Sequence, residues 1–450
     1  MLLTIEKMIY GGDGLARLPA NSPDDARGRG KAVFVPFVLA AEKIDASLTE
    51  QKAGFARAKA DTVLEPSKYR VPPACRYFAQ CGGCHYQHAS YEHQLEIKKE
   101  ILRENLRRIA KLDLPFDIEV HPSPRWNYRN RSRLRVQVGP AFAAGYFKLA
   151  SHELLAVEEC PISSPLVNRG IASFWQSGRA GRVPEGVREI EFLANADDSQ
   201  LLVDVGCAGV ARRAAVRAWA EELRAALPEI AGVVAFREAN PGDRKAGVPE
   251  ILVTVGAAHL TFQTQRAAYR VSAGSFFQTN RHLTDELVRI VTEGQSGKLA
   301  LDLYAGAGLF STALARDFHH IVSVESSQTS FADLSYNQSS NAEAVQATTE
   351  QYLARAETSG RVGKGAVLPH MPNRPDLAIV DPPRSGLGER VARLLATLGA
   401  PRVAYVSCDP ATLARDLVPL LAAGYRVEQV HLVDLFPQTY HLESVVHLAR

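Results

Sequence analysis

Leu301-Asp302-Leu303-Tyr304-Ala305-Gly306-Ala307-Gly308-Leu309-Phe310-Ser311 reads as an apolar strand, a glycine-rich turn and the start of a helix running from Ser311 to Arg316. The glycines permit the tight turn and let a ligand approach the backbone closely. A second apolar strand, Ile321 to Val324, ends in Glu325, 19 residues after Gly306. A carboxylate there can accept hydrogen bonds from ribose hydroxyls. This much suits a dinucleotide or S-adenosylmethionine. Ser311 occupies the place of the third glycine in the dinucleotide fingerprint, which leans toward S-adenosylmethionine. The expected fold of this region is an α/β, doubly wound Rossmann-like domain.

Two further strand ends deliver chemistry to the same sheet edge. Leu377 to Val380 runs into Asp381-Pro382-Pro383-Arg384, a carboxylate on a rigid turn. Amino-directed base methylases carry an aromatic after the two prolines, and Arg384 replaces it here. Val403 to Val406 runs into Ser407-Cys408-Asp409-Pro410, with a helix to follow. Open α/β folds keep their chemistry at this edge, and a helix N-terminus beside Cys408 is expected to favour its thiolate. A lone cysteine is ordinarily an inert core residue. The three motifs in this order point instead to a nucleophile.

Together with Gly274-Ser275-Phe276-Phe277-Gln278-Thr279-Asn280 and His441-Leu442-Glu443, these segments resemble the RNA uracil-5-methyltransferase family. The resemblance covers nearly the whole chain. It implies S-adenosylmethionine-dependent formation of 5-methyluridine in RNA, with Gln278, Tyr304, Glu325 and Asp381 at the cofactor and Glu443 as general base. Leu309 departs from the Asn often found at its position, so a polar contact is lost there. Carbon 5 of uracil is too weak a nucleophile to attack a methyl sulfonium directly. A thiolate added at carbon 6 removes that obstacle, and Cys408 is the candidate. The target uridine has to be unstacked to reach it.

The 450 residues are long enough for several domains. Met1 to Tyr10 mixes charged residues into its apolar ones, and no apolar run approaches a bilayer span. A cytoplasmic monomer without membrane association is expected. The net charge of +3 is weakly basic, but residues 71–135 hold 12 Lys/Arg against 7 Asp/Glu. There Arg129, Arg131, Arg133 and Arg135 alternate with Leu134, Val136 and Val138. Period two places the arginines on one strand face without an acid among them. That face is a solvated surface or a phosphate-tracking stripe, with Trp126 and Tyr128 as stacking surfaces for unpaired bases.

Residues 1–68 read as short strands (Leu2 to Tyr10, Lys31 to Leu39, and Lys43 to about Val63) joined by Gly11-Gly12-Asp13-Gly14 and a polar loop, 21–30. They suit a small OB-like β-barrel and resemble the TRAM domain of the same family. Ala40-Ala41-Glu42 departs from the usual Pro-Gly-Glu. Residues 69–260 then form a central β-rich region. Its Cys75, Cys81 and Cys84 are spaced C-x5-C-x2-C, and Cys160 precedes Pro161. Zinc would suit four thiolates. Three clustered cysteines plus a distant one before proline favour an iron–sulfur cluster, and the resemblance implies a 4Fe–4S centre. Cys207 lies in an apolar strand and reads as structural. The segment 91–111 has helical spacing, and the resemblance implies that it packs on the catalytic part, 261–450. Stretches 240–249 and 359–375 read as surface insertions.

The RNA itself is expected to be 23S ribosomal RNA by family habit, with transfer RNA as the alternative. A methylase of DNA or protein using Cys408 only structurally, and an inactive iron–sulfur RNA-binding protein, are the readings from other classes.

Overall fold

The computed structural model describes residues 1–18, 30–139, 141–237, 250–359 and 374–450. The stretch 240–249, residues 360–373 and all of the 21–30 loop but Gly30 lie outside the described residues.

At the centre is an eight-stranded sheet in the order Ala342–Gln346, Phe318–Glu325, Gly297–Leu303, Leu377–Val380, Arg402–Ser407, Glu443–Ala449, Arg426–Val433, Glu119–His121. The first five strands are mutually parallel, and Glu443–Ala449 enters antiparallel between Arg402–Ser407 and Arg426–Val433. These strands are apolar at consecutive positions because both faces are covered. Leu299, Leu301 and Leu303 join one core with Val403 and Tyr405. Ala300, Ala404 and Val406 join the other.

The first of these cores is closed by a helix from the first half of the chain, Tyr91–Ile109, through Ile97, Ile101, Leu102 and Leu106. Its Lys98 is fully buried and donates to Asp434 (2.6 Å) and to the Phe436 carbonyl (2.9 Å). Removing one partner of such a pair costs about 3–5 kcal/mol, so the helix is pinned to the turn leading toward Glu443. The strand Glu119–His121 that follows pairs in parallel with Arg426–Val433. The opposite face is covered by the hairpin His259–Gln263/Ala268–Ser272 and the helix Thr284–Thr292.

The N-terminal strands close on themselves. Leu2–Thr4 pairs with Lys43–Gln51, while Lys7–Met8, a few residues on, pairs with Asp13–Arg17 at the far end of the same sheet. One stretch of chain thus covers both edges, and Val33, Val35, Ile44 and Ala56 fill the interior. Ala41 sits at φ 67°, a left-handed conformation natural to the glycine it replaces. The buried Glu42 beside it accepts from Leu39 and Ser67 N–H groups and from the Arg70 guanidinium.

The stretch of sequence between them forms a seven-stranded sheet, Leu154–Ala156, Ala143–Phe147, Arg131–Gln137, Val187–Ala194, Leu201–Cys207, Ile230–Arg237, Glu250–Gly256. The helices Pro165–Arg179 and Arg213–Ala226 pack on it, and Cys207 is part of that core, as expected.

Candidate active site

The strand Gly297–Leu303 ends at Tyr304, and the turn bends through left-handed backbone at Tyr304 (φ 63°), Gly306 (φ 57°) and Gly308 (φ 90°). Gly308 starts the helix Leu309–Leu314, two residues earlier than the sequence suggests. A side chain at Gly306 would meet no atom within 4 Å, so the turn borders open space. The Gly306 N–H donates to Glu325 Oε2 (2.9 Å), and Ser327 N–H donates to its Oε1 (2.6 Å). Those two bonds aim the carboxylate across the turn and leave it lone pairs to spare. Behind it, buried Asp302 accepts from Ser311 N–H through one oxygen (3.0 Å), and its other oxygen has no partner. Burial pushes Asp302 up to about 7. Asp381, one strand over, is also pushed up to about 7, by burial and by Asp302. The gap at Gly306, the oriented Glu325 and the unpartnered buried oxygen fit a bound nucleoside with a cationic tail. S-adenosylmethionine suits this turn. Gln278 is buried and, among the described residues, has no hydrogen-bond partner. Its neighbour Asn280 is tied to Ser123 Oγ (2.9 Å) and the Leu435 carbonyl (3.1 Å).

Cys408 and Glu443 are brought together by strand register. Ser407 pairs with Ser444 across the antiparallel strands, so the next residue on one side meets the preceding residue on the other. Burial is the main reason the Cys408 thiol is pushed up to about 12, with Glu443 and Asp381 adding to the shift and Arg384 opposing it. Glu443 is buried and raised well above the carboxylate range by desolvation and by Asp381, again opposed by Arg384. One expectation is corrected here. The helix Pro410–Ala422 does not spend its first N–H groups on Cys408, because Asp409 Oδ1 accepts from Ala411 N–H (3.0 Å) and Thr412 N–H (2.9 Å). An N-cap carboxylate has taken the place intended for the thiolate.

A neighbour invisible in the motifs is Tyr10. Its hydroxyl donates to the Cys408 carbonyl (3.2 Å), and its ring stands edge-on to Tyr440, 5.4 Å between centroids. His85, from the cysteine-rich loop, packs on the same Tyr440 at 4.5 Å, and its N–H donates to the Gln438 carbonyl. His441 lies beside Tyr440 and within 3.4 Å of the Arg384 guanidinium. The barrel and the cysteine loop therefore both touch the segment that leads into Glu443.

Cys75, Cys81, Cys84 and Cys160 line one cavity of about 120 Å³, together with Gln87, Arg129 and Tyr146. Burial, with repulsion among the thiols, pushes Cys81 up to about 11 and raises Cys75 and Cys84 as well. The arginine strand also needs correction. Its even residues face inward as expected, but the adjacent strand supplies the missing acids. Arg131 and Arg133 both bond Glu191 (2.7 Å each), and Arg133 and Arg135 pair with Glu189 (3.2 and 2.8 Å). Arg129 is apart, at the cysteine cavity, with its Nε donating to the Arg131 carbonyl. Tyr128 shares the inward parity; it is fully buried, donates to the Pro437 carbonyl (2.9 Å) and offers no stacking surface.

The sequence profile of the tRNA (uracil-5-)-methyltransferase family matches residues 90–450. The chain belongs to that family. By this membership it is an S-adenosylmethionine-dependent RNA (uracil-5-)-methyltransferase. Among relatives, an RNA methyltransferase of Aquifex aeolicus is 31% identical over 99% of this chain and 97% of its own length. The 23S rRNA (uracil(1939)-C(5))-methyltransferase RlmD of Pseudomonas fluorescens is 29% identical over 98% of this chain and 92% of its own. The fold matches the crystal structure of Pyrococcus abyssi tRNA (uracil-54, C5)-methyltransferase, solved with S-adenosyl-L-homocysteine, at TM-score 0.73 over the whole of both chains and 24% identity. Among the described residues of this methyltransferase, no helix is long and apolar enough to cross a membrane.

Proposed function

We propose that this methyltransferase modifies carbon 5 of a uridine in 23S ribosomal RNA through a covalent adduct with Cys408. The observation that carries the mechanism is the register that sets Cys408 beside Glu443 at the sheet edge. The choice of RNA is supported by similarity to the Pseudomonas enzyme over nearly the whole of both chains.

Gly306, Glu325, Tyr304, Asp381 and Gln278 would hold S-adenosylmethionine, which supplies an electrophilic methyl group when bound. Cys408 adds through sulfur to carbon 6 of the flipped base, and the ring electrons move onto the carbon 4 oxygen as an enolate. Asp381, poised near neutrality, is the facing carboxylate able to take the thiol proton. Carbon 5 then gains its methyl group, Glu443 removes the proton on the same carbon, and the carbon–sulfur bond breaks to restore the double bond. Glu443 has to be ionised for that step. Arg384 is the cation whose charge favours its ionisation.

In the same reading residues 1–68 form a TRAM-like barrel that holds RNA, residues 69–260 carry a 4Fe–4S cluster, and residues 261–450 perform catalysis. The gathering of all four cysteines around one cavity supports a metal or cluster site there. Of the arginines, Arg129 and the outer faces of Arg133 and Arg135 remain the candidates for phosphate contact.

The test is a denaturing gel of enzyme with labelled 23S fragments and S-adenosylmethionine. Glu443→Gln should trap a retarded protein–RNA band, because elimination is blocked, and Cys408→Ala should give none. Absence of the band in both variants would remove Glu443 from the late step. Methylation of transfer RNA but not of the 23S fragments would overturn the substrate.

A further inference from the structure

At the outer edge of the catalytic sheet, Glu119, His121 and His431 turn ligand atoms toward one point. His121 Nε2 lies 3.1 Å from His431 Nδ1, and Glu119 Oε2 lies 3.4 Å from the same His431 atom. Glu119 Oε1 is 3.6 Å from His121 Nε2. A divalent ion bound tetrahedrally at 2.0–2.1 Å has ligand atoms about 3.3 Å apart. The Glu119 distances run to its two different oxygens; with one oxygen taken, the three ligand atoms all lie within 4.8 Å of one another, close enough for a single ion to draw together.

The surroundings match what such an ion needs. His121 is held through its other nitrogen, Nδ1, by Glu286 at 2.7 Å. A carboxylate behind a histidine fixes the tautomer and presents Nε2 as the ligand. Both histidines are buried, whereas the Glu119 side chain is 63% exposed, which leaves an entry path and a fourth position for water. Arg289, a cation on the neighbouring helix, is engaged by Glu286 and Glu293.

We propose that Glu119, His121 and His431 form a zinc-type divalent-cation site, separate from the cysteine cavity, that staples the strand Glu119–His121 to the strand Arg426–Val433. Imidazole and carboxylate ligands select a borderline ion of the zinc, cobalt or nickel kind over calcium or magnesium. Only three residues of backbone pair this strand to the sheet, and it follows the helix that closes one face of the core. A metal there would fasten the point where the first half of the chain joins the catalytic sheet.

The full-length protein with its cysteine cavity occupied as purified, stripped of loose metal by a mild chelator, should be titrated with Co2+ alone and with Zn2+ alone. One equivalent of Co2+ should bind with visible d–d bands and no sulfur-to-metal charge-transfer band, and Zn2+ should displace it. Glu286→Gln should weaken binding about 10- to 100-fold. His431→Gln should abolish it, and Glu119→Gln, at an exposed position that threatens the fold least, should weaken it at least tenfold. Identical isotherms for the natural protein and Glu119→Gln would overturn the site. So would cobalt spectra showing thiolate ligation only.

Discussion

Burial keeps the thiol of Cys408 un-ionised and does the same to Cys75, Cys81 and Cys84, yet the groups that reinforce it differ. Around the cavity the thiols raise one another. Protonation relieves that repulsion, and a bound cationic centre would do the same, in keeping with the proposed ligand set. Around Cys408 three carboxyl groups, Glu443, Asp381 and Asp409, raise the thiol and the Arg384 guanidinium lowers it. That balance is tipped by protons and by an incoming substrate, as suits a nucleophile. In the proposed function the same side chain is a cofactor ligand or a reagent according to its neighbours.

The sharpest break between the two regions is expected from Cys84→Ala. Iron in anaerobically purified protein should fall from about four per chain to below one, while alkylation of Cys408 changes less than twofold. Full retention of iron would remove Cys84 from the ligand set.

Next in size is the effect of the carboxylates on Cys408. With its pKa pushed up to about 12, alkylation mapped to Cys408 should rise about tenfold per pH unit between pH 8 and 11. Asp381→Asn should accelerate it about three- to tenfold at pH 9, and a rate independent of Asp381 would break the argument. The sign for stability follows. The folded thiol keeps a proton that the unfolded chain releases from about pH 8.5 upward, so this group costs stability as pH rises from there toward 12. Asp302 and Asp381, raised to about 7, likewise cost stability as pH rises from about 4 to 7. Asp381→Asn should make that decline shallower in a denaturant titration across pH.

The smallest effect concerns the bridge between the regions. Tyr10→Phe keeps the ring against Tyr440 and loses one hydrogen bond to the Cys408 carbonyl. At about 1 kcal/mol, adduct formation should slow about fivefold with iron content and S-adenosylmethionine affinity unchanged. An unchanged single-turnover rate would reduce Tyr10 to packing.

Features that depend on neighbours in sequence were legible before the structure. The glycine turn, Asp381 and Cys408 each follow a short apolar strand, so their arrival at one sheet edge was predictable from periodicity and turn chemistry. Partners contributed by distant strands were not. Glu189 and Glu191 neutralise an arginine face that looked acid-free, because pairing between Arg131–Gln137 and Val187–Ala194 cannot be read locally. Asp409 carried a recognisable capping signal, since it precedes proline at a helix start, and that signal outweighs the thiolate expectation. The reach of Tyr10 to Cys408, 398 residues away, left no trace in either segment.

The placement of Glu443–Ala449 between two strands made before it governs when an active molecule first exists. Translation delivers Arg402–Ser407 and Arg426–Val433 earlier, and each waits with an unpaired edge until the intervening strand leaves the ribosome. The first residue of that late strand is the proposed base itself. Under the proposed mechanism, catalytic competence therefore appears only as this gap in the sheet is filled.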